Sequence, residues 1–98
     1  MTKAGEAPSP LRTYFLECFA PATSEAAVEQ AGRCGRLAAS RITRSGRHAA
    51  YVGTHVVARD EIVIHVVRCA DEDTAAEVGR AAGWPVERVV ETVFIDRS

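Results

Sequence analysis

The stretch Tyr51–Cys69, YVGTHVVARDEIVIHVVRC, decides the fold of this chain. Its β-branched residues are too dense for a stable helix and favour two strands. Ala58–Glu61 interrupts the apolar run with charge, which is typical of a hairpin tip. His55 and His65 lie inside the two apolar runs, where a polar ring needs a hydrogen-bonding partner or a face that is open to water.

The sequence on either side of this hairpin completes a β-α-β-β-α-β order. Before it, a strand-like alternation is followed by apolar residues at helical spacing, with Thr23 or Ser24 as the predicted N-cap. After it, an acidic helix start precedes a second alternating run. The predicted elements are a first strand Arg12–Phe19, a first helix from about Glu25 to Thr43, a second helix over Asp73–Ala82 that ends at Gly83, and a last strand Arg88–Ile95.

This order predicts the ferredoxin-like α+β fold, a four-stranded antiparallel sheet with both helices on one face. The expected order of strands across the sheet is fourth, first, third, second. Residues 1–11 are small, polar and proline-bearing, so we predict a flexible N-terminal tail. Residues 12–98 are predicted to form one ferredoxin-like domain.

Composition narrows the function classes. The chain has 98 residues, 47% of them hydrophobic, and its formal net charge of -1 argues against a broadly basic nucleic-acid binder. No apolar run approaches the roughly 20 residues that span a bilayer, so no membrane partner is expected. Without the apolar region of a signal peptide, the predicted location is cytoplasmic. Three widely spaced cysteines with no CxxC argue against a disulfide framework.

The alternation in each strand predicts which side chains face the helices. On the third strand Ile62, Ile64 and Val66 are the purely apolar set, so we expect them beneath the helices and Val63, His65 and Val67 outside. The expected inner set continues with Leu16, Cys18, Val90 and Phe94, packed under Val28, Leu37 and Val78 of the helices. The expected outer set continues with Phe15, Glu17, Phe19, Val89, Glu91, Val93 and Ile95.

An outer face of this kind is too apolar to leave in water, which predicts a homodimer with two open faces together, a dimeric α/β barrel, or a face folded over a ligand. Glu17, Glu91 and His65 share that face. His55 joins them if a three-residue loop pairs Val57 with Glu61. If a two-residue loop pairs Val57 with Ile62, the two histidines lie on opposite faces, and the sequence leaves both registers open.

Two carboxylates and two imidazoles on one face suit a divalent transition metal such as nickel, zinc, copper or iron. Strands lie about 4.8 Å apart, so neighbouring side chains can share an ion although all four cannot. The predicted metal ligands are His65, His55, Glu17 and Glu91. The alternative is that each histidine pairs with a glutamate as a structural bridge across the dimer.

Short motifs along the chain resemble those of a group of small ferredoxin-like proteins catalogued mainly as a domain of unknown function. They are Tyr14–Glu17, Ala70–Glu72, Gly83–Pro85 and Arg88–Glu91. The group includes a nickel-binding protein, and its members form dimers. The resemblance implies nickel as the ion, with Glu17 and Glu91 as matching ligands. The chain departs from the group at His55 and His65, where tyrosine and cysteine are more usual.

The sequence therefore predicts a small homodimeric protein that binds a metal, with nickel suggested by the resemblance, and carries or sequesters it without turnover. The alternative is a small dimeric enzyme, monooxygenase-like or isomerase-like, acting on an apolar molecule in the same cavity. In that enzyme Glu17, His55 or His65 would act as general acid or base. A third possibility is an interaction module with no small ligand.

Overall fold

The two helices pack on one side of a four-stranded antiparallel sheet. The computed structural model describes residues 10–96, so most of the predicted tail over residues 1–11 lies outside the described residues. The elements are β1 (Arg12–Phe19), α1 (Glu25–Arg44), β2 (Ala49–Val57), β3 (Ile62–Cys69), α2 (Glu72–Ala82) and β4 (Val86–Thr92). The strand order β2-β3-β1-β4 is the predicted one, and the α+β architecture is consistent with the ferredoxin-like fold.

Both helices begin and end where the sequence signals lie. The Ser24 hydroxyl accepts a hydrogen bond from the Ala27 amide at 3.1 Å, which confirms one of the two predicted caps of α1. At α2 the Asp71 carboxylate accepts from the Thr74 amide at 2.8 Å, and hydrogen bonding from the Thr74 side chain and amide lowers the pKa of Asp71. Gly83 ends α2 with φ at 77°, a left-handed conformation that glycine adopts without strain.

The hairpin adopts the register that separates the two histidines. Val57 pairs with Ile62, and the four residues between them form a short 3-10 turn that ends at Glu61 with φ at 55°. The loop is longer than either loop expected from the sequence, but the pairing is one of the two predicted. His55 lies opposite Ile64, and His65 lies opposite Thr54, so the rings point to opposite faces.

A β-bulge in β2 changes which side chains face the helices. Tyr51 lies opposite Val67, whereas Gly53 lies opposite the next residue back along β3, Val66. In a regular strand Tyr51 and Thr54 would point to opposite faces, because side chains alternate. The extra residue places both on the helix side.

The predicted faces of β3 are wrong. The residues buried beneath the helices are Val63, His65, Val67 and Cys69, whereas Ile62 and Ile64 lie half-buried on the other side. The ladder with β1 fixes this arrangement, since His65 lies opposite Leu16, which is fully buried in the core. The strand is apolar on both sides, and the expectation that His65 would lie outside depended on its having no partner inside.

The predicted faces and limits of β4 are also wrong. The strand begins at Val86, because the chain turns directly after Gly83, where the Trp84 amide donates to the Gly79 carbonyl. Thr92 lies opposite Thr13, near the first residue of β1, so the ladder ends there and residues 93–95 lie beyond the sheet. Within β4 the sides are exchanged relative to the prediction: Val89 lies opposite Leu16, Val90 opposite Phe15 and Glu91 opposite Tyr14. Phe94, an expected core residue, is 92% exposed.

Small residues on α1 allow it to lie close to the sheet. The buried residues of α1 are Gly32, Gly35, Ala38, Ala39 and Ile42. Leu37, which the helical spacing placed in the core, is 69% exposed, whereas Val78 of α2 is fully buried as predicted. Among the described residues, no helix is long and apolar enough to cross a membrane.

Substitution of Gly35 tests whether the close packing of α1 on the sheet requires glycine there. A Cβ added there would lie 2.8 Å from Cη2 of the buried Trp84 ring. Gly35→Ala should gain about 1 kcal/mol of helix propensity but lose about 1–3 kcal/mol to overpacking, for a net loss of stability in urea unfolding. Gly53→Ala is the matched control, since a Cβ there meets nothing within 4 Å. A Gly35→Ala protein as stable as the wild type would show that the ring can move.

Candidate functional site

The structure divides the four predicted metal ligands between the two sides of the sheet. Glu17 and His55 both lie opposite Ile64 and therefore share the face that the helices leave uncovered. They are two strand spacings apart, about 10 Å. His65 lies beneath the helices, and Glu91 lies opposite Tyr14 on the helix side of the edge strand, where it pairs with Arg12 at 3.6 Å.

Across residues 10–96, no three histidine, cysteine, aspartate or glutamate side chains come together as a metal site requires. The single chain thus brings together two of the four predicted ligands on one face and separates the other two from them. Metal binding stays a prediction.

The carboxylate of Glu17 is held by an arginine that sequence reasoning did not single out. Arg88 Nε and Nη2 donate to the two carboxylate oxygens of Glu17 at 3.2 and 3.1 Å, a two-point contact between β1 and β4. The hydrogen bonds and charge of Glu17 raise the pKa of Arg88. Glu17 and Arg88 are direct partners in the ladder between β1 and β4. The sequence alone does not show this pairing, because it depends on the register of the two strands.

No described element covers the side of the sheet opposite the helices, which we call the open face. Around the Glu17–Arg88 pair this face is apolar, and its apolar members are Phe15, Phe19, Val57, Ile62, Ile64, Val66 and Val90. His55 also lies on it, with its ring centroid 6.1 Å from that of Phe15. A cavity of about 320 Å³ lies at one end, where Phe19 and Ile62 meet the ion pair, and Asp60 and Glu87 also line it.

On the other side of the sheet, four side chains form what we call the histidine cluster, in which His65 and Trp84 are buried and Tyr51 and Thr54 are half-buried. The Thr54 hydroxyl lies 2.8 Å from His65 Nδ1 and 2.5 Å from the Tyr51 hydroxyl. The imidazole stacks on the indole of Trp84, with ring centroids 3.9 Å apart and planes 16° from parallel. The indole N–H donates to the Ala31 carbonyl of α1 at 3.0 Å.

Burial controls the protonation of the groups beneath the helices. It lowers the pKa of His65 to about 4, so the ring is neutral at physiological pH. Burial, assisted by the charge of Glu87, raises the pKa of the Cys18 thiol to about 11, and burial also raises the pKa of Cys69. Both thiols therefore stay protonated at neutral pH, and a protonated thiol is a weak nucleophile.

The hydrogen bonds of the histidine cluster couple the tautomer of the buried His65 ring to the direction in which the Tyr51 hydroxyl donates its proton. A neutral imidazole donates at one nitrogen and accepts at the other, and each hydroxyl carries one proton. The state of His65 Nδ1 therefore decides whether the Tyr51 hydroxyl, at the end of the chain of bonds, donates or accepts. Sequence reasoning did not identify Tyr51, Thr54 and Trp84 as members of a site. The sequence indicated only that His65, if buried, needs a hydrogen-bonding partner.

Comparison with known proteins finds no matching family model, no matching curated protein and no matching solved structure. The resemblance to the domain of unknown function and its nickel-binding member stays a prediction.

The depressed pKa of His65 predicts a specific sensitivity to acid. In the unfolded chain a histidine takes up its proton near pH 6.5, whereas the folded protein resists protonation of His65 until about pH 4. The unfolded state binds more protons in this window, so the free energy of unfolding should fall by about 2–3 kcal/mol as the pH drops through it.

Urea unfolding of the wild type and of His65→Phe between these pH values checks this prediction. The variant keeps an aromatic ring on Trp84 and should lose most of the acid sensitivity, although it is less stable at neutral pH because Thr54 loses one of its two partners. His55→Phe, on the open face, is the matched control and should retain the wild-type pH dependence. The same dependence in His65→Phe would exclude His65 as its source.

Proposed function

We propose that the protein is a homodimer in which two open faces pack together and hold a small apolar molecule between them. The observation that carries this proposal is the open face itself, an apolar sheet surface over which no described element lies. Contiguous exposed apolar surface on a protein is characteristic of an interaction site or a ligand-binding groove. In a ferredoxin-like sheet, a second copy of the chain can cover the open face and enclose a ligand between the two sheets.

The residues after β4 support a second copy as the partner. Val93, Phe94 and Ile95 are three consecutive apolar residues, exposed in the single chain and directly continuous with the open face through β4. A segment of this kind gains stability only by packing on another apolar surface. In a two-fold dimer each copy offers such a surface to the other, because the same patch contacts itself.

The dimensions are sufficient for a dimer when this segment contributes. Four strands and seven residues of strand length give the open face a projected area of about 440 Å². A standard interface buries about 800 Å² of accessible surface on each partner. Side-chain relief makes the accessible area larger than the projected area, and burying Phe94 alone adds about 150–250 Å².

The Glu17–Arg88 pair supports a bound molecule as well as a partner chain. It borders the cavity of about 320 Å³ at one end of the open face. Ligand sites are typically apolar concavities that contain a few fixed polar groups. We propose that the small apolar molecule packs against Phe19 and Ile62 at the edge of this cavity.

The dimer predicts a large effect at a residue that is almost fully exposed in the single chain. Phe94→Ser removes no packing from the monomer, so its stability at low concentration should not change. In sedimentation equilibrium the same substitution should raise the dimer dissociation constant at least about tenfold, equivalent to 1.4 kcal/mol. Ile64→Lys, in the middle of the open face, should abolish the dimer, whereas Leu37→Lys, on the exposed side of α1, is the matched control. A wild-type monomer at micromolar concentration would contradict the dimer.

The bound molecule is tested separately with the neutral fluorescent probe N-phenyl-1-naphthylamine. We expect saturable binding to the wild type, loss in Ile64→Lys and retention in Leu37→Lys. Dimerisation without probe binding would leave an interaction module. Titration with nickel and with zinc tests the metal-binding prediction. A metal affinity that falls in both His55→Ala and Glu17→Gln would favour that prediction over the apolar ligand.

A further inference from the structure

A second cavity lies on the helix side of the sheet, between α1 and the edge strand β2. Its volume is about 350 Å³, and its lining residues are Val28, Glu29, Gly32, Arg33, Arg36, Tyr51 and Thr54. It is separated from the open face by the sheet itself. The metal, dimer and apolar-ligand predictions do not involve it.

The Tyr51 hydroxyl is fixed at the inner wall of this cavity. A Cβ on Gly32 would lie 2.9 Å from the hydroxyl oxygen, so glycine is what lets the tyrosine lie against the helix. Thr54 holds the same oxygen at 2.5 Å, and Thr54 is in turn held by the buried His65. The stack of His65 on Trp84 immobilises the inner end of this chain of bonds. The hydroxyl is therefore positioned before any ligand arrives.

The charges around the cavity favour an anion with a single charge. The Arg36 guanidinium lies over the Tyr51 ring at 5.5 Å from its centroid, and Arg33 is held by Gln30 at 2.6 Å. Glu29 is the one carboxylate in the lining. Two cations and one anion leave one net positive charge, which matches a monoanion better than a phosphate dianion.

We propose that this cavity binds a small carboxylate with an apolar body. Arg36 and the Tyr51 hydroxyl donate to the carboxylate oxygens, and Val28 and the Tyr51 ring contact the apolar part. The arrangement requires that His65 Nδ1 donate to Thr54, Thr54 to Tyr51, and Tyr51 into the cavity. A bound carboxylate stabilises this direction of the chain of bonds, because it supplies the acceptor at its outer end.

Benzoate is the probe for this site, with the neutral benzamide and inorganic phosphate as comparison ligands. Calorimetric titration at neutral pH should show benzoate binding with one site per chain, at least tenfold tighter than either comparison ligand. Trp84 is the only tryptophan of the chain and its ring centroid lies 5.9 Å from that of Tyr51, so its fluorescence should change on binding. Benzamide binding as tightly as benzoate, or phosphate binding more tightly, would overturn the proposal.

Two variants assign the binding to the named donors. Tyr51→Phe keeps the ring and removes the hydroxyl, and Arg36→Met keeps much of the length and removes the charge. Each should weaken benzoate binding at least tenfold with the fold intact by circular dichroism. Arg41→Met, an exposed arginine on the same helix outside the cavity, should bind as the wild type does. Unchanged affinity in both Tyr51→Phe and Arg36→Met would overturn the site. Benzoate binding in Phe94→Ser should equal that of the wild type, which separates this proposal from the dimer.

Discussion

The stack of the His65 imidazole on the Trp84 indole is the contact on which the arrangement beneath the helices depends. It joins the middle of β3 to the loop after α2, and the indole N–H continues the connection to the Ala31 carbonyl of α1. An aromatic pair of this kind contributes about 0.5–1.5 kcal/mol beyond the area that it buries. Its larger effect is geometric, because α1 can approach the indole this closely only where its own side chains are absent. Gly35 provides that space beside Cζ2 and Cη2 of the indole.

The buried His65 ring also needs hydrogen-bonding partners, and the β-bulge in β2 helps to supply them. A ring buried beside an indole still has polar nitrogens, and leaving one without a partner costs about 1–3 kcal/mol. The hairpin pairing nearer the tip places Thr54 opposite His65, and the bulge lies beyond it, between Tyr51 and Gly53. The same irregularity places Tyr51 on the helix side, where its hydroxyl reaches Thr54. One inserted residue thus allows a polar group to lie in an otherwise apolar core.

The sequence predicted the elements better than it predicted the faces. The limits of β1 and the start of α1 were recoverable because their signals are local: strict alternation in Arg12–Phe19 and a capping serine at Ser24. The faces of β3 were not recoverable in this way. Both of its sides are apolar, so the assignment depended on His65 alone, and the partners of His65 come from another strand and from a loop distant in sequence.

The prediction of where β4 begins and ends was wrong for a related reason. The apolar run continues through Val93, Phe94 and Ile95, and nothing within it shows where the partner strand stops. That information lies in β1, whose first residues pair with the last residues of β4. The bulges near Glu17 and Tyr51 add register changes that alternation alone does not predict. Of the candidate site, the placement of Phe15, Glu17 and Phe19 on the open face could be predicted from the alternation of their own strand.

Both sides of the sheet solve the same electrostatic problem in the same way. A charged or polar group that a partner will cover must lose its water, and the loss is smaller if a protein group already satisfies it. On the open face the two-point contact with Arg88 occupies both oxygens of Glu17 before anything covers them. As an exposed ion pair it contributes little to stability, but its effect grows when a covering surface lowers the local dielectric constant. In the histidine cluster the bonds run from His65 through Thr54 to Tyr51, so the hydroxyls that border the cavity are already bonded to each other. On each side of the sheet, therefore, polar groups that a partner would cover are already bonded within the protein.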